Sequence, residues 1–327
     1  MLQCLRWSKP LFYSPATSIT RAYASARLTR KEKIEGLNHI ARSKLYQLDT
    51  RFDIFNEKVT NVVDLGYAPG NWLAYARDAL LAAHDIEPEK IYQKCTLVGL
   101  DIVVGNHPQG SFTTQGNIFS KLAHRNVTKL LKEHAYRRLA VQNSVLQNTD
   151  TKGNGEFTLD SEMAKISEMF LNLDIKDEAL ESIMSIQDYQ ANLVTSDMTN
   201  PFLQDKGFFN NTTSRPYIRS STNSALRHHT SDPLKSSIDT ADAALLLCCD
   251  VLAKGGSFLI RLSRVDLADP ELSLFEQRLK RTFAQVNKWN SEGVTESDKL
   301  IILELYFVCK HKFEHIADKY EVFDVRR

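Results

Sequence analysis

From residue 60 onward, short apolar runs alternate with longer stretches in which apolar positions recur every three or four residues. The runs mark strands buried on both faces and the stretches mark helices that bury one stripe, so the pattern predicts an alternating α/β fold around a mostly parallel sheet. Strands are expected over 60–66, 95–102, 111–115, 191–196, 256–262 and 301–309. Helices are expected over 71–84, 237–253 and 271–284. His84-Asp85-Ile86-Glu87-Pro88 serves as the exit from the first helix, and Gly255-Gly256 as the stop after the second.

Between the third and fourth strands, residues 119–190 are too many for one crossover helix and predict a helical insertion with a loose centre. Within it, the polar and glycine-containing stretch 148–155 reads as an exposed loop. A second polar stretch, 205–236, carries His228 and His229 side by side. No acid or cysteine stands at ligand spacing from that pair, so it reads as part of a solvent loop within reach of substrate, with a metal site as the alternative.

Composition narrows the class. The chain has 327 residues, 43% hydrophobic and 25% charged, the make-up of a soluble globular protein with one large or two small domains. A formal charge of +1 excludes histone-like binding to nucleic acid, so any RNA site must be a local patch. The five cysteines (Cys4, Cys95, Cys248, Cys249, Cys309) show no metal-ligand spacing and read as reduced core residues, with a disulfide or zinc role as the alternative. No apolar stretch approaches the length of a membrane span. Arg6, Lys9, Arg21, Arg27, Arg30 and Lys31 precede the first acid, Glu32, among serines and threonines. That is the composition of a mitochondrial presequence, with a cleavage point near residue 23; the alternative is a basic arm that binds RNA.

The chemistry gathers where the strands end. Residues 62–72 run from an apolar strand through Asp64 into a turn containing Gly66, Pro69 and Gly70, followed by Asn71 and Trp72 at the start of a helix. Glycines there let the backbone approach a ligand at the carboxyl edge of a parallel sheet. The spacing is not G-x-G-x-x-G, and Pro69 lacks the N–H that a phosphate-cradling turn uses, so a nicotinamide nucleotide fits less well. A nucleoside with a charged amino-acid tail fits better, and S-adenosylmethionine is the first candidate. Asp101 closes the second strand as an acceptor-only group for two ribose hydroxyls, and Asn117 follows the third strand, where it can pair with an adenine edge. Asp197 closes the fourth.

With these residues in view, the chain resembles the FtsJ family of ribose 2′-O-methyltransferases. The resemblance rests on D-L-G-Y-A-P-G-N-W at 64–72, G-L-D-I at 99–102, S-D-M at 196–198, G-G-S-F-L-I-R-L at 255–262 and E-L-Y-F-V at 304–308, and covers most of 40–312 outside the insertion. G-F-F-N-N-T-T at 207–213 and the helix around 239–245 resemble the branch of that family acting on mitochondrial large-subunit rRNA. The resemblance implies a Rossmann-like seven-stranded fold of order 3-2-1-4-5-7-6 with an antiparallel last strand. It also implies S-adenosylmethionine as cofactor, large-subunit rRNA or the assembling large ribosomal subunit as partner, and the mitochondrial matrix as location. The chain then divides into a presequence (1–23), a helical RNA-facing segment (24–58), the methyltransferase domain (59–312) and a tail (313–327).

Family members surround the target ribose with a Lys-Asp-Lys-Glu tetrad. The resemblance places the Asp at Asp197 and the Glu at Glu304. The first lysine, in an R-S-R-x-x-[YF]-K-L helix, corresponds to Gln47 in the one-residue-shorter segment 42–48, and the second is replaced by Arg261. Arg42 and Lys44 are the implied RNA contacts, with Lys44, about one helical turn before Gln47, as an alternative occupant of the same space. An arginine stays protonated at physiological pH, which makes Arg261 a poor general base. Three readings follow: an active rRNA 2′-O-methyltransferase with a divergent ribose site, a methyltransferase-derived RNA-binding factor in ribosome assembly without turnover, and a small-molecule methyltransferase on the same sheet.

Overall fold

A computed structural model describes residues 29–150, 185–198, 202–204, 217–219, 233–290, 301–315 and 317–324. The expected presequence, His228-His229, Cys4 and most of the two polar stretches lie outside these residues.

The expected alternation is present. In chain order the elements are helix α1 (Arg30–Phe52), strand β1 (Asn61–Leu65), helix α2 (Asn71–His84), a 3-10 turn (Pro88–Gln93), β2 (Thr96–Asp101) and β3 (Ser111–Gln115). Helices α3 (Lys121–Asp150) and α4 (Ile186–Tyr189), β4 (Ala191–Ser196), the short strands β5 (Phe202–Gln204) and β6 (Tyr217–Arg219), and α5 (Pro233–Val251) follow. The chain closes with β7 (Leu252–Asp266), α6 (Pro270–Thr282), β8 (Phe283–Trp289), β9 (Ile301–Lys312) and α7 (Lys319–Phe323). Seven strands form one sheet in the order β3-β2-β1-β4-β7-β9-β8, and β5 pairs with β6 apart from it. β1, β2, β3, β4 and β7 run parallel, while β9 pairs antiparallel with both β7 and β8.

Every residue of β1 is buried, and alternate side chains enter two different cores. Val63 and Leu65 join a cluster with Val127 and Leu131 of α3, Leu247 of α5 and Phe275 of α6. Val62 joins the other, with Leu45 and Leu48 of α1 and Leu73 and Leu80 of α2. Helices therefore cover both faces, which is why the central strands read as unbroken apolar runs. Two lysines, Lys312 buried and Lys310 half-buried, tie helix ends to β9. Lys312 donates to the carbonyls of Cys249 (3.0 Å) and Leu252 (2.9 Å) at the end of α5, and Lys310 donates to the Phe52 carbonyl at the end of α1.

Three expectations are corrected. The helix expected over 271–284 stops at Thr282, and Phe283–Trp289 is an edge strand instead. Its apolar residues Phe283, Val286 and Trp289 fall at helical spacing, and the solvated edge leaves no alternating pattern to reveal it. The third helix is still continuous at Asp150, so 148–150 are helical rather than loop. Gly255-Gly256 lies inside β7, where the register steps from Ala191–Leu252 to Leu193–Ser257 and the chain bulges through Gly255 at φ +77°. Cys95, Cys248, Cys249 and Cys309 are buried free thiols. No helix among the described residues is long and apolar enough to cross a membrane.

Candidate active site

Strand order reverses between β1 and β4, and in such a sheet ligands sit beyond the carboxyl ends of the strands at that point. Backbone pairing continues past the strands and holds their tips together: Gly66 N–H donates to Leu100 O (2.8 Å), and Asp197 N–H donates to Leu65 O (3.0 Å). The glycine turn is pressed against both neighbours. A Cβ on Gly66 (φ +81°) would lie 2.8 Å from Met198 Cα, and one on Gly70 (φ +105°) would lie 2.2 Å from the Asn106 carbonyl oxygen. Glycine is required at both places by backbone conformation and by space.

Three carboxylates meet at these tips. Asp64 is fully buried; its Oδ1 accepts from Thr195 Oγ1 at 2.8 Å, and its Oδ2 has no hydrogen-bond partner among the described residues. Burial pushes its carboxyl up to about 7 against the Thr195 bond, and the negative charges of Asp197 and Asp101 add to the rise. Asp101 accepts from Ala68 N–H and Val103 N–H, each at 3.0 Å, and burial raises it to about 6. Tyr67 joins the same two loops, its hydroxyl accepting from Gly105 N–H at 3.1 Å. An unpartnered buried carboxylate oxygen inside a cluster of three acids suits a cationic ligand.

On the other side of Asp197 lies a chain of alternating charges. Arg261 Nε donates to Asp197 Oδ1, Arg261 Nη1 donates to Glu304 Oε1 at 3.0 Å, and Lys44 Nζ donates to Glu304 Oε2. Tyr306 Oη reaches the same Glu304 oxygen at 3.4 Å, and Trp289 packs edge-on against the Tyr306 ring at 5.2 Å between centroids. Although burial opposes it, the Asp197 and Glu304 carboxylates hold Arg261 protonated well beyond its ordinary range. Burial likewise works against ionisation of Glu304, yet Lys44 and Arg261 keep that carboxyl below its usual value.

The structure thus brings Asp64, Asp101, Asp197, Arg261, Glu304 and Lys44 together. It does not bring Gln47 there. Leu45 and Leu48 face the core, Lys44 stands at the flank of that stripe, and Gln47, about 60° further round the helix, is exposed. The family's first lysine has no counterpart at Gln47; the amine that meets Glu304 comes from Lys44, one turn earlier. Lys44, expected as an RNA contact, is paired inside the charge chain, while Arg42 is exposed on α1. Asn71, at the start of α2, donates to Asn38 Oδ1 at 2.8 Å, so it links the glycine turn to α1. Trp72 is buried beneath the turn, Pro69 is exposed on it, and Asn117, 9% exposed, follows β3 and accepts from Phe119 N–H at 3.1 Å.

Sequence reasoning missed the residues that fasten α1 to the site. Asp49 accepts from Tyr75 Oη at 2.9 Å and from the N–H groups of Ile54 and Phe55, both at 2.9 Å. With Asn38 and Lys310 these bonds fix the helix that carries Lys44. Only the polar residues Asp49 and Asn38 at otherwise ordinary helical positions hinted at them.

The sheet order, with a glycine turn after β1 and acids at the tips of the central strands, is that of the Rossmann-like methyltransferase fold. The chain belongs to the FtsJ-like methyltransferase family, which matches residues 40–312. It is 27% identical over 310 residues to the mitochondrial rRNA methyltransferase 2 of Saccharomyces cerevisiae, covering 90% of this chain and 87% of that protein. It is also 27% identical over 230 residues to a candidate ribosomal RNA methyltransferase of Schizosaccharomyces pombe, covering 69% of this chain and 64% of that one. A crystal structure of a candidate ribosomal RNA methyltransferase from Plasmodium falciparum superposes with a TM-score of 0.45 and 14% identity, over 84% of this chain and 98% of that chain.

Proposed function

We propose that this protein is a mitochondrial rRNA methyltransferase that transfers a methyl group from S-adenosylmethionine to a ribose 2′-hydroxyl of large-subunit rRNA in the matrix. The observation that carries this reading is the chain Asp197–Arg261–Glu304–Lys44, set beside the acid-lined tips of β1 and β2. Lys44 supplies from another helical position the amine that Gln47 lacks, which weakens one of the two motives for a factor without turnover; the other, Arg261, remains. The named yeast relative supports rRNA as substrate and the mitochondrion as location. Exposed Arg42 on α1 would meet the RNA backbone, which is the charge that positions nucleic acid without reading it.

The cofactor would supply an activated methyl group on a sulfonium, and the rest falls to the protein. Each Asp101 oxygen already takes one backbone N–H and keeps a lone pair for a ribose hydroxyl. Gly66 and Gly70 allow close approach of the ligand's tail, Asn117 stands at the adenine end, and Asp64 with Asp197 offsets the positive charge.

A pH dependence follows from Asp64. A cationic ligand favours the ionised carboxylate, and in the free protein that carboxyl titrates at about 7. Below that value binding must expel a proton, so affinity for S-adenosylmethionine should rise with pH, by up to about tenfold per unit, and level off above neutrality. The sign for stability is opposite. With a pKa of 3.8 unfolded and about 7 folded, the native state holds the extra proton between these values, and the free protein should lose stability as pH rises through that window. Calorimetric titration in buffers of different ionisation enthalpy checks the first effect; affinity independent of pH from about 5.5 to 8 would contradict it.

The function itself is tested by mass-spectrometric mapping of ribose methylation in mitochondrial large-subunit rRNA with and without the gene. One 2′-O-methyl group should disappear on deletion. An unchanged methylation map would reject the reading.

A further inference from the structure

Resting on the reading of this chain as a ribose 2′-O-methyltransferase, we propose that the carboxylate of Asp197 accepts the proton of the ribose hydroxyl, because the geometry bars Arg261, Glu304 and Lys44 from that part. Each group in the charge chain has a different freedom. The Arg261 guanidinium has donors only and is clamped between two carboxylates, Asp197 Oδ1 through Nε and Glu304 Oε1 through Nη1 at 3.0 Å. Glu304 is paired with two cations, Oε1 with Arg261 and Oε2 with Lys44, the latter also taking the Tyr306 hydroxyl, and the two positive charges make it a weaker proton acceptor than an ordinary carboxylate. Lys44 meets Glu304 as an ammonium in an ion pair, and an ammonium has no lone pair to offer.

Asp197 differs. Its Oδ1 is held by Arg261, while its Oδ2 is bonded to none of the described residues, and the side chain keeps 22% of its surface open. Its backbone N–H is fixed to Leu65 O at 3.0 Å, which sets the carboxylate at the point where strand order reverses, between the acid cluster and the charge chain. Burial raises its proton affinity, which Arg261 opposes; by contrast Glu304 is held below its ordinary range. Arg261 then has a positioning role: it orients Oδ1 and leaves Oδ2 facing the site.

The step balances with nothing else supplied. A lone pair of the 2′-oxygen forms the new bond to the methyl carbon, and the carbon–sulfur pair returns to sulfur, leaving a neutral thioether. The hydroxyl proton passes to Asp197 Oδ2, so the positive sulfonium and the negative carboxylate are neutralised together. The proton then leaves Asp197 for solvent when the product departs.

The test is the single-turnover rate of methyl transfer from S-adenosylmethionine to an unmodified transcript of the mitochondrial large-subunit rRNA, measured from about pH 5.5 to 9.5. The wild type should rise through an acidic limb and be flat across the alkaline range, as a carboxylate acceptor requires. Arg261→Lys should add an alkaline rise, because a lysine acceptor must first lose its own proton. Lys44→Gln should lower the plateau without changing its shape. Asp197→Asn should retain affinity for the transcript and for S-adenosylhomocysteine within about threefold while transfer falls by at least about a hundredfold. A wild-type rate still climbing about tenfold per pH unit near pH 9 would overturn the proposal in favour of a lysine acceptor. So would loss of binding by Asp197→Asn in proportion to its loss of rate, which marks a positioning role only. Absence of transfer at every pH would reject the methyltransferase reading instead, and the assignment of Asp197 with it.

Discussion

Alanine at Asp197 should lower methyl transfer by about a hundredfold to ten-thousandfold, the range typical of losing a positioned general base. The substitution removes the bond to Arg261 Nε but leaves Arg261 on Glu304 at 3.0 Å, so the remaining cation is not stranded. The loss of stability should accordingly be modest, about 1 to 2 kcal/mol, because the buried arginine keeps a second carboxylate. One side effect has a definite sign. The charge of Asp197 helps raise Asp64, so its removal should let Asp64 ionise at lower pH and shift the pH dependence of cofactor binding downward. Initial rates, thermal unfolding and cofactor titration on the same sample separate these effects. Transfer within about threefold of wild type would remove Asp197 from the reaction.

Alanine at Gly70 should weaken S-adenosylmethionine binding by about ten- to a hundredfold. The backbone there has φ +105°, and the added methyl carbon would lie 2.2 Å from the Asn106 carbonyl oxygen. That oxygen belongs to backbone and cannot swing away as a side chain does. Either the glycine turn or the loop after β2 must shift, at a cost of about 1 to 3 kcal/mol for the overpacking alone. Both loops are joined through Tyr67 and Asp101, so the displacement reaches the carboxylate that would take the ribose hydroxyls. Gly36, on the exposed side of α1, supplies the control, because a Cβ added there would meet nothing within 4 Å. Alanine at Gly36 should leave binding unchanged and stabilise the helix by about 0.5 to 1 kcal/mol. Equal binding by the two variants in calorimetric titration would show that the turn is not part of the cofactor site.

The buried strands were legible in the sequence because helices cover both sheet faces, and β1, β2 and β4 therefore appear as apolar runs closed by acids or glycine. The edge strand β8 was not, because an edge lacks one neighbour and its few apolar residues mimic a continuing helix. The same division holds in the site. Asp64, Asp101 and Asp197 are visible as acids at strand ends, and their meeting follows from parallel topology. Lys44 is different: counting along the chain pointed to Gln47, whereas contact is decided by which side of α1 a residue occupies. Asn38, Asp49, Tyr75 and Lys310 were hidden for a further reason. They act between elements remote in sequence, and their bonds fix α1 without leaving a local motif.

The reaction proposed for this charge chain is methylation of a ribose in mitochondrial large-subunit rRNA. Its most direct measurement is quantitative mass spectrometry of that rRNA from cells lacking the gene, complemented with either the wild type or Asp197→Ala at matched protein levels. One 2′-O-methylated nucleotide should be lost on deletion, return with the wild type and stay absent with Asp197→Ala. Full methylation in the Asp197→Ala cells, or no change on deletion, would contradict it.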